Sequence, residues 1–264
     1  MRYRIIIGFL ILAAGFAVLA GRTWGQDAAG TPAAGPVATT QPTAEEPIVP
    51  PVFTEDFESG ELNKDVWTQR VNPGATITVQ QDIVAHGKNA LLVHYPAGVR
   101  TYGFIVADHL PDSLKDHFFG RAYVRFPAAP PNAHDVFITA GGAGWPISNF
   151  LEIGLRRNKA QLSYQQNGAN IPRGETMIAG PAYPVGKWFC LEWEFNDNPD
   201  SITIWIDGKK VTDTKVGYKG TGDHLIKGFT EFGFGFRSWG NVPNGFDVYY
   251  DDIALGTGRI GPVQ

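Results

Sequence analysis

The sequence predicts an all-β protein, a jelly roll of two antiparallel sheets, and three observations carry that prediction. The 264 residues include 32 Gly and 19 Pro, well above average usage, and such punctuation cuts helices short. From Val52 onward, short alternating or apolar runs recur between turn residues at the spacing of a β-sandwich. The segment 201–211, Ser-Ile-Thr-Ile-Trp-Ile-Asp-Gly-Lys-Lys-Val, reads as a strand, a tight Asp-Gly turn and a return strand. About eleven strands in roughly 210 residues suit one two-sheet domain better than two small ones. The same pattern excludes a coiled coil, a helical bundle and a collagen repeat.

Taken in chain order, Arg2 and Arg4 precede an apolar run over 5–20 and a small-residue stretch ending at Gly25. This is the layout of an export signal, so residues 1–26 are expected to be a signal peptide. The run also reaches the length of the shortest membrane-spanning helix, which leaves an uncleaved anchor as the alternative. With the signal removed, no stable membrane insertion is expected, and the location is secreted, periplasmic or at the cell surface. Residues 27–51 are rich in Ala, Thr, Pro and Gly and cannot offset the entropy of folding, so they read as a linker. The jelly-roll domain is expected over 52–264. Its strands are predicted at 75–79, 90–95, 103–106, 120–126, 135–140, 150–156, 160–165, 189–195, 201–206, 229–236 and 246–254. Only 112–117 reads as helical, and only briefly.

Charge and cysteine usage narrow the partners. Lys and Arg number 22 against 26 Asp and Glu, a formal charge of −4, whereas a general nucleic-acid binder needs the opposite sign. One cysteine, Cys190, permits no internal disulfide and no thiolate metal cluster. The chain is expected to be a monomer.

Strand alternation says which side chains share a face. In Gly120-Arg-Ala-Tyr-Val-Arg-Phe126, Arg121, Tyr123 and Arg125 oppose Ala122, Val124 and Phe126. In Phe150-Leu-Glu-Ile-Gly-Leu-Arg156, Leu151, Ile153 and Leu155 form the core face, so Glu152 and Arg156 point away from it. In Phe232-Gly-Phe-Gly-Phe-Arg237, three Phe pack inward and the Gly-Gly-Arg237 side is expected to be open to an extended ligand. Tyr164 and Gln165 fall on opposite faces, so one of the two can join a site. Trp145, Trp239 and Tyr102 lie in Gly-rich surroundings suited to stacking on a sugar, whereas Trp188, Trp193 and Trp205 lie in strand patterns.

The ends of the domain carry a resemblance. Phe53-Thr-Glu-Asp-Phe-Glu-Ser-Gly60 with Trp67, His86-Gly-Lys-Asn-Ala-Leu91, Trp205-Ile-Asp-Gly208 and Tyr249-Tyr-Asp-Asp-Ile-Ala-Leu255 resemble a concanavalin-A-like jelly roll of the carbohydrate-active kind. The middle, Arg121-Ala-Tyr-Val-Arg-Phe126 and Asn132-Ala-His-Asp-Val-Phe137, is similar to the fungal cellulose-induced jelly-roll proteins, whose relatives are glucuronan lyases and, more distantly, alginate lyases. The resemblance implies adjacent first and last strands and a structural calcium ion where they meet the early loop. Its ligands would be Asp56 or Glu58, the His86 carbonyl, Asn89 and Asp251. These are the hard oxygens calcium prefers.

The resemblance further implies action on an acidic polysaccharide. Cleavage of a uronan by β-elimination needs a group that neutralises the carboxylate, a base for the C5 proton and an acid for the leaving O4. Arg121, Arg125 and Arg156 suit the first task by their bidentate forks. His134 suits the second, and a tyrosine, Tyr249 or Tyr164, the third. Tyr123, Glu152, Gln165, Arg237 and Trp239 complete the expected substrate-binding set, with Glu152 orienting Arg156 or Arg125. The segment 121–125 lacks the acidic middle residue of the alginate-lyase motif and His134 is not preceded by Gln-Ile, which favours glucuronan-like chains over alginate. Retaining hydrolysis is disfavoured because Glu152 has no second acid at a two- or four-residue offset. The competing reading is a carbohydrate-binding module without chemistry.

Overall fold

The computed structural model describes residues 46–131, 133–142, 148–156, 159–165, 174–177, 182–196, 201–215 and 228–263. The expected signal peptide, most of the linker and Trp145 lie outside the described residues. The chain divides into two units, Met1–Ala44 and Glu45–Gln264, and all of the described strands belong to the second.

Those strands are β1 (Phe53–Glu55), β2 (Trp67–Val71), β3 (Thr76–Gln80), β4 (Ala90–Tyr95), β5 (Tyr102–Ala107), β6 (His117–Arg125), β7 (His134–Gly142), β8 (Ser148–Arg156), β9 (Lys159–Gln165), β10 (Gly174–Met177), β11 (Trp188–Asn196), β12 (Ser201–Ile206), β13 (Lys209–Lys215), β14 (Glu231–Ser238) and β15 (Phe246–Gly256). They form two antiparallel sheets. The first runs β13-β12-β11-β6-β15-β4-β3, with β1 also paired to β15, and the second runs β10-β9-β8-β7-β14-β5-β2. Phe53 lies opposite Leu255 and Glu55 opposite Ile253, so the first and last strands are neighbours as the resemblance implies.

The predicted strands are present, several of them longer than expected. The stretch predicted to be helical holds one 3-10 turn, Asp112–Leu114, and β6 begins at His117 because Phe118 is drawn fully into the core. Strands β1, β2 and β10 are not among the predicted ones. They are short edge or near-edge strands with polar residues on both sides, so they lack an alternating signal. The predicted hairpin closes through Asp207 and Gly208, both at positive φ (49° and 75°), as a primed turn requires. The Val49 amide donates to the Arg259 carbonyl at 2.8 Å, so pairing within the domain begins before Val52.

Aromatic side chains fill the space between the sheets. Trp193 of the first sheet stacks on Phe232 of the second at 5.7 Å and 8° between planes, and Phe118 meets Phe195, Phe229 and Phe232 edge-on. The ladders on both sides of β7 shift register at the same place. Val136 pairs with Gly154 and Ile138 with Ile153, so β8 skips Phe137; on the other side Gly235 and Phe236 of β14 stand against that same residue. This is a β-bulge, which leaves ladder groups without strand partners. The buried Tyr250 hydroxyl, reaching across from the first sheet, lies 2.7 Å from the Phe137 carbonyl and 2.6 Å from that of Gly235, to which it donates. Two glycines let the strands close up there. A Cβ at Gly154 would lie 2.0 Å from the Asp135 carbonyl oxygen, and one at Gly235 would lie 2.0 Å from that of Gly103.

Replacing Tyr250 with Phe keeps the ring packing and strands these carbonyls in the core. The expected result in denaturant unfolding is a loss of about 1–3 kcal/mol, and an unchanged midpoint would show that the hydroxyl is dispensable.

Candidate functional site

The candidate site lies on the face of the second sheet that points away from the main core. Tyr102, Phe104, Val106, Val136 and Phe150 form a separate apolar cluster there, because β5, β7 and β8 alternate between two buried sides. Arg237 of β14 stands opposite both Val136 and Tyr102 in the ladders, and Thr139 stands opposite Glu152. Arg237 and Glu152, only 3% and 1% exposed, form an ion pair at the floor of this face. Each neutralises the other, which is what allows both charges to be buried.

Above the floor is a more open rim. Trp239, 39% exposed, lies with its ring 4.5 Å from the Arg237 guanidinium and 6.4 Å from the His134 ring. Its amide donates to the His134 carbonyl at 2.8 Å, which ties the end of β14 to the start of β7. His134 stands directly opposite the exposed Arg156 in the β7–β8 ladder. Gln165 takes the register position opposite Phe150, on the site's face, while Tyr164 takes the position opposite Leu151, on the core side. A second Arg–Glu pair, Arg70 with Glu231 at 2.6 and 2.7 Å, lies further along the same face.

Beside His134, Asp135 is fully buried opposite Leu155. Burial raises its carboxyl to about 7, and Ser238, its partner across the β7–β14 ladder, offsets only part of that rise. It belongs to the wall that carries His134.

The structure therefore divides the expected catalytic set. His134, Arg156, Arg237, Glu152, Trp239 and the Gln165 position share the second sheet, whereas Arg121, Tyr123, Arg125 and Tyr249 belong to β6 and β15 of the first, across the core. Those four have structural partners. Arg121 donates to the carbonyls of Asp252 and Gly261 at 3.2 and 3.3 Å, and the Tyr123 hydroxyl accepts from the Val263 amide at 3.2 Å, so both hold the C-terminal segment. Arg125 donates to the Gly186 carbonyl at 2.6 Å, and Tyr249 packs edge-on against Trp188. Strand alternation identifies the outward faces correctly but does not say that two of them face opposite ways. Glu152 pairs with Arg237 rather than with Arg125 or Arg156. The Gly-Gly-Arg237 side of β14 is buried along its length instead of open. Tyr102, singled out in the sequence for its Gly-rich surroundings, lies on this face, and so do Arg70 and, beside Trp239, Arg100, which strand flanks alone signal in the sequence.

The residues expected to hold calcium gather around the loop at 81–89, but chiefly through N–H donors. Asp251 Oδ2 accepts from the amides of Ala85 and His86 at 2.9 and 3.2 Å, and its Oδ1 accepts from Asp252 at 2.9 Å. Glu58 Oε1 accepts from the amides of Lys88 and Asn89 at 2.8 and 2.9 Å, which lower its pKa. Asn89 Oδ1 accepts from Gln81, Asp56 Oδ1 from the Glu58 amide, and the His86 ring pairs with Asp252. Burial raises the Asp251 carboxyl to about 6. Among the described residues no three or more His, Cys, Asp or Glu side chains are grouped to hold an ion. Calcium requires six to eight oxygens, and the oxygens gathered here are engaged as a hydrogen-bonded clamp by backbone and side-chain N–H groups.

With this geometry established, the comparisons with known proteins assign the chain. Residues 56–258 match the family described as polysaccharide lyase-like, Cip1-like, core domain. The chain belongs to this Cip1-like, polysaccharide-lyase-like family. Membership marks it as a carbohydrate-active protein. Among solved structures it is similar to the cellulose-induced protein Cip1, with 20% identity, a TM-score of 0.63, and coverage of 80% of this chain and 100% of that one. It is also similar to the endo-β-1,4-glucuronan lyase of the fungus Trichoderma reesei, at 18% identity and a TM-score of 0.58, covering 78% and 95% of the two chains. A botulinum neurotoxin serotype G binding domain shares the fold at 15% identity and a TM-score of 0.53, over 80% of this chain and 48% of that one. These likenesses show the jelly-roll fold. No curated protein sequence matches the chain.

If the clamp is filled by N–H donors, Asp251→Ala strands three amides and lowers stability by about 2 kcal/mol, while a chelator leaves the melting temperature unchanged. A fall on chelation that calcium restores would show that the ion takes the place of those donors.

Proposed function

We propose that the outer face of the second sheet binds a uronate-containing polysaccharide and cleaves it by β-elimination. The observation that carries this reading is the direct opposition of His134 and Arg156 across the β7–β8 ladder, beside the ring of Trp239. Arg156 offers a guanidinium to the uronate carboxylate, which acidifies the C5 proton. His134 removes that proton, the electron pair forms the C4–C5 double bond, and the C4–O4 bond breaks. Tyr102, on the same face, returns a proton to the leaving O4. The buried Arg237–Glu152 pair fixes the floor beneath Trp239 without contributing net charge. Family membership and the N-terminal apolar run support an exported location, where such polymers are met.

A carbohydrate-binding module is the second reading, and one observation favours it. The charge of Arg237 is committed to Glu152, while Trp239 keeps an exposed aromatic surface suited to stacking on a sugar ring.

Incubating the purified protein with a panel of uronans and following the ultraviolet absorbance of the unsaturated product decides between them. The elimination reading expects absorbance to rise with one polymer and His134→Ala to slow turnover by about a hundredfold or more with little change in melting temperature. Full activity of His134→Ala would remove it as the base. Silence of the wild type across the panel, with retention on a polysaccharide gel, would establish the binding module.

A further inference from the structure

We propose that Arg100 gives this face its preference for an acidic chain by receiving a uronate carboxylate beside Trp239. The inference rests on the uronate-binding reading above and names a cation of that site which the catalytic scheme does not use. Two of the arginines on this face are already neutralised, Arg70 by Glu231 and Arg237 by Glu152. Arg156 stands opposite His134, where the reacting carboxylate is expected. Arg100 is exposed, has no carboxylate partner among the described residues, and lies with its guanidinium 5.4 Å from the centre of the Trp239 ring.

The backbone beneath Arg100 is held on both sides. The Gly98 amide donates to the Val242 carbonyl at 2.9 Å, which joins the β4–β5 loop to the β14–β15 loop that follows Trp239. The Thr101 amide donates to the hydroxyl of the buried Tyr95 at 3.0 Å, and the Thr101 hydroxyl lies 3.2 Å from each of the carbonyls of Asn72 and Pro73. An exposed cation on an anchored loop is partly preorganised, so less entropy is lost when it meets an anion. Contact with the indole gives the guanidinium a second restraint. A sugar stacked on the exposed part of Trp239 would bring a ring carboxylate within reach of the Arg100 fork, and a neutral sugar would stack without using it. Arg100 is therefore a specificity residue, separate from the elimination step.

The test compares the full chain with its Arg100→Gln and Arg100→Lys variants, all in the His134→Ala background so that ligand is not consumed. Calorimetric titrations use a glucuronan oligosaccharide and a neutral β-glucan oligosaccharide of equal length at two salt concentrations. The expected result is about tenfold weaker binding of the uronan by Arg100→Gln, reduced salt sensitivity, unchanged binding of the neutral sugar, and only partial retention of uronan affinity by Arg100→Lys, which keeps the charge and loses the fork. With His134 intact, Arg100→Gln should raise KM and leave kcat nearly unaltered. Because Arg100 is exposed, the melting temperature should stay constant and exclude misfolding as the cause. Uronan binding as tight in Arg100→Gln as in the parent would overturn the assignment while leaving the uronate reading intact. Failure of the parent itself to bind the uronan would overturn both.

Discussion

The hydroxyl of Tyr250 is the point at which the two sheets and the candidate site meet. It extends from β15 through the core and ends at the carbonyls of Phe137 and Gly235, where the ladders around β7 slip by one residue. Phe137 and Ile138 both face the core at the slip, and without it Asp135 and not Val136 would stand opposite Arg237. With it, the outward Val136 stands opposite Arg237, and Arg237 pairs with Glu152 on that same side. His134 and Trp239 follow on the same side of the bulge. A structural bond inside the core thus sets the register of residues that serve the surface, and the absence of side chains at Gly154 and Gly235 lets the strands approach closely enough to keep it.

The two outer faces have diverged in role. The first sheet's outer side is tied down by its own chain: Arg121 and Tyr123 hold the C-terminal segment, the buried Arg259–Glu192 pair fixes its middle, and Asp251 and Glu58 hold the 81–89 loop. The second sheet's outer side has a neutralised, buried floor and a rim of exposed Arg100, Trp239 and Arg156 with half-buried His134. That contrast is physical. A carboxylate or guanidinium already satisfied by backbone partners has little to offer a ligand, whereas Arg100, exposed on an anchored loop, is partly preorganised to receive one.

Much of the fold is legible in the sequence because strand periodicity is local. The Phe-Gly-Phe-Gly-Phe of β14, the alternation of β6 and the Asp207–Gly208 turn each specify their own geometry. The site is legible only in part because it is non-local. Alternation correctly puts Arg121 and Arg156 on outward faces, but their separation follows from sheet order: β6 pairs with β11 and β15, β8 with β7 and β9. The pairing of Glu152 with Arg237 spans 85 residues and depends on a bulge that no single strand announces. Tyr102 is legible from its Gly-rich surroundings, whereas Arg100 is obscured because it lies in the loop before β5 and belongs to no alternating pattern. The calcium expectation rests on motif likeness alone, which preserves residue types but does not say whether N–H groups or oxygens face them.

The proposed site requires that ligand be received by the second sheet and not by the first. Hydrogen–deuterium exchange of the full chain, with and without a uronan oligosaccharide, distinguishes the two faces. Added protection is expected at the start of β7, at the end of β14 through Trp239, and in the loop bearing Arg100. Protection confined to β6 around Arg121–Arg125 and to β15 around Tyr249 would contradict the proposal and return the site to the opposite face.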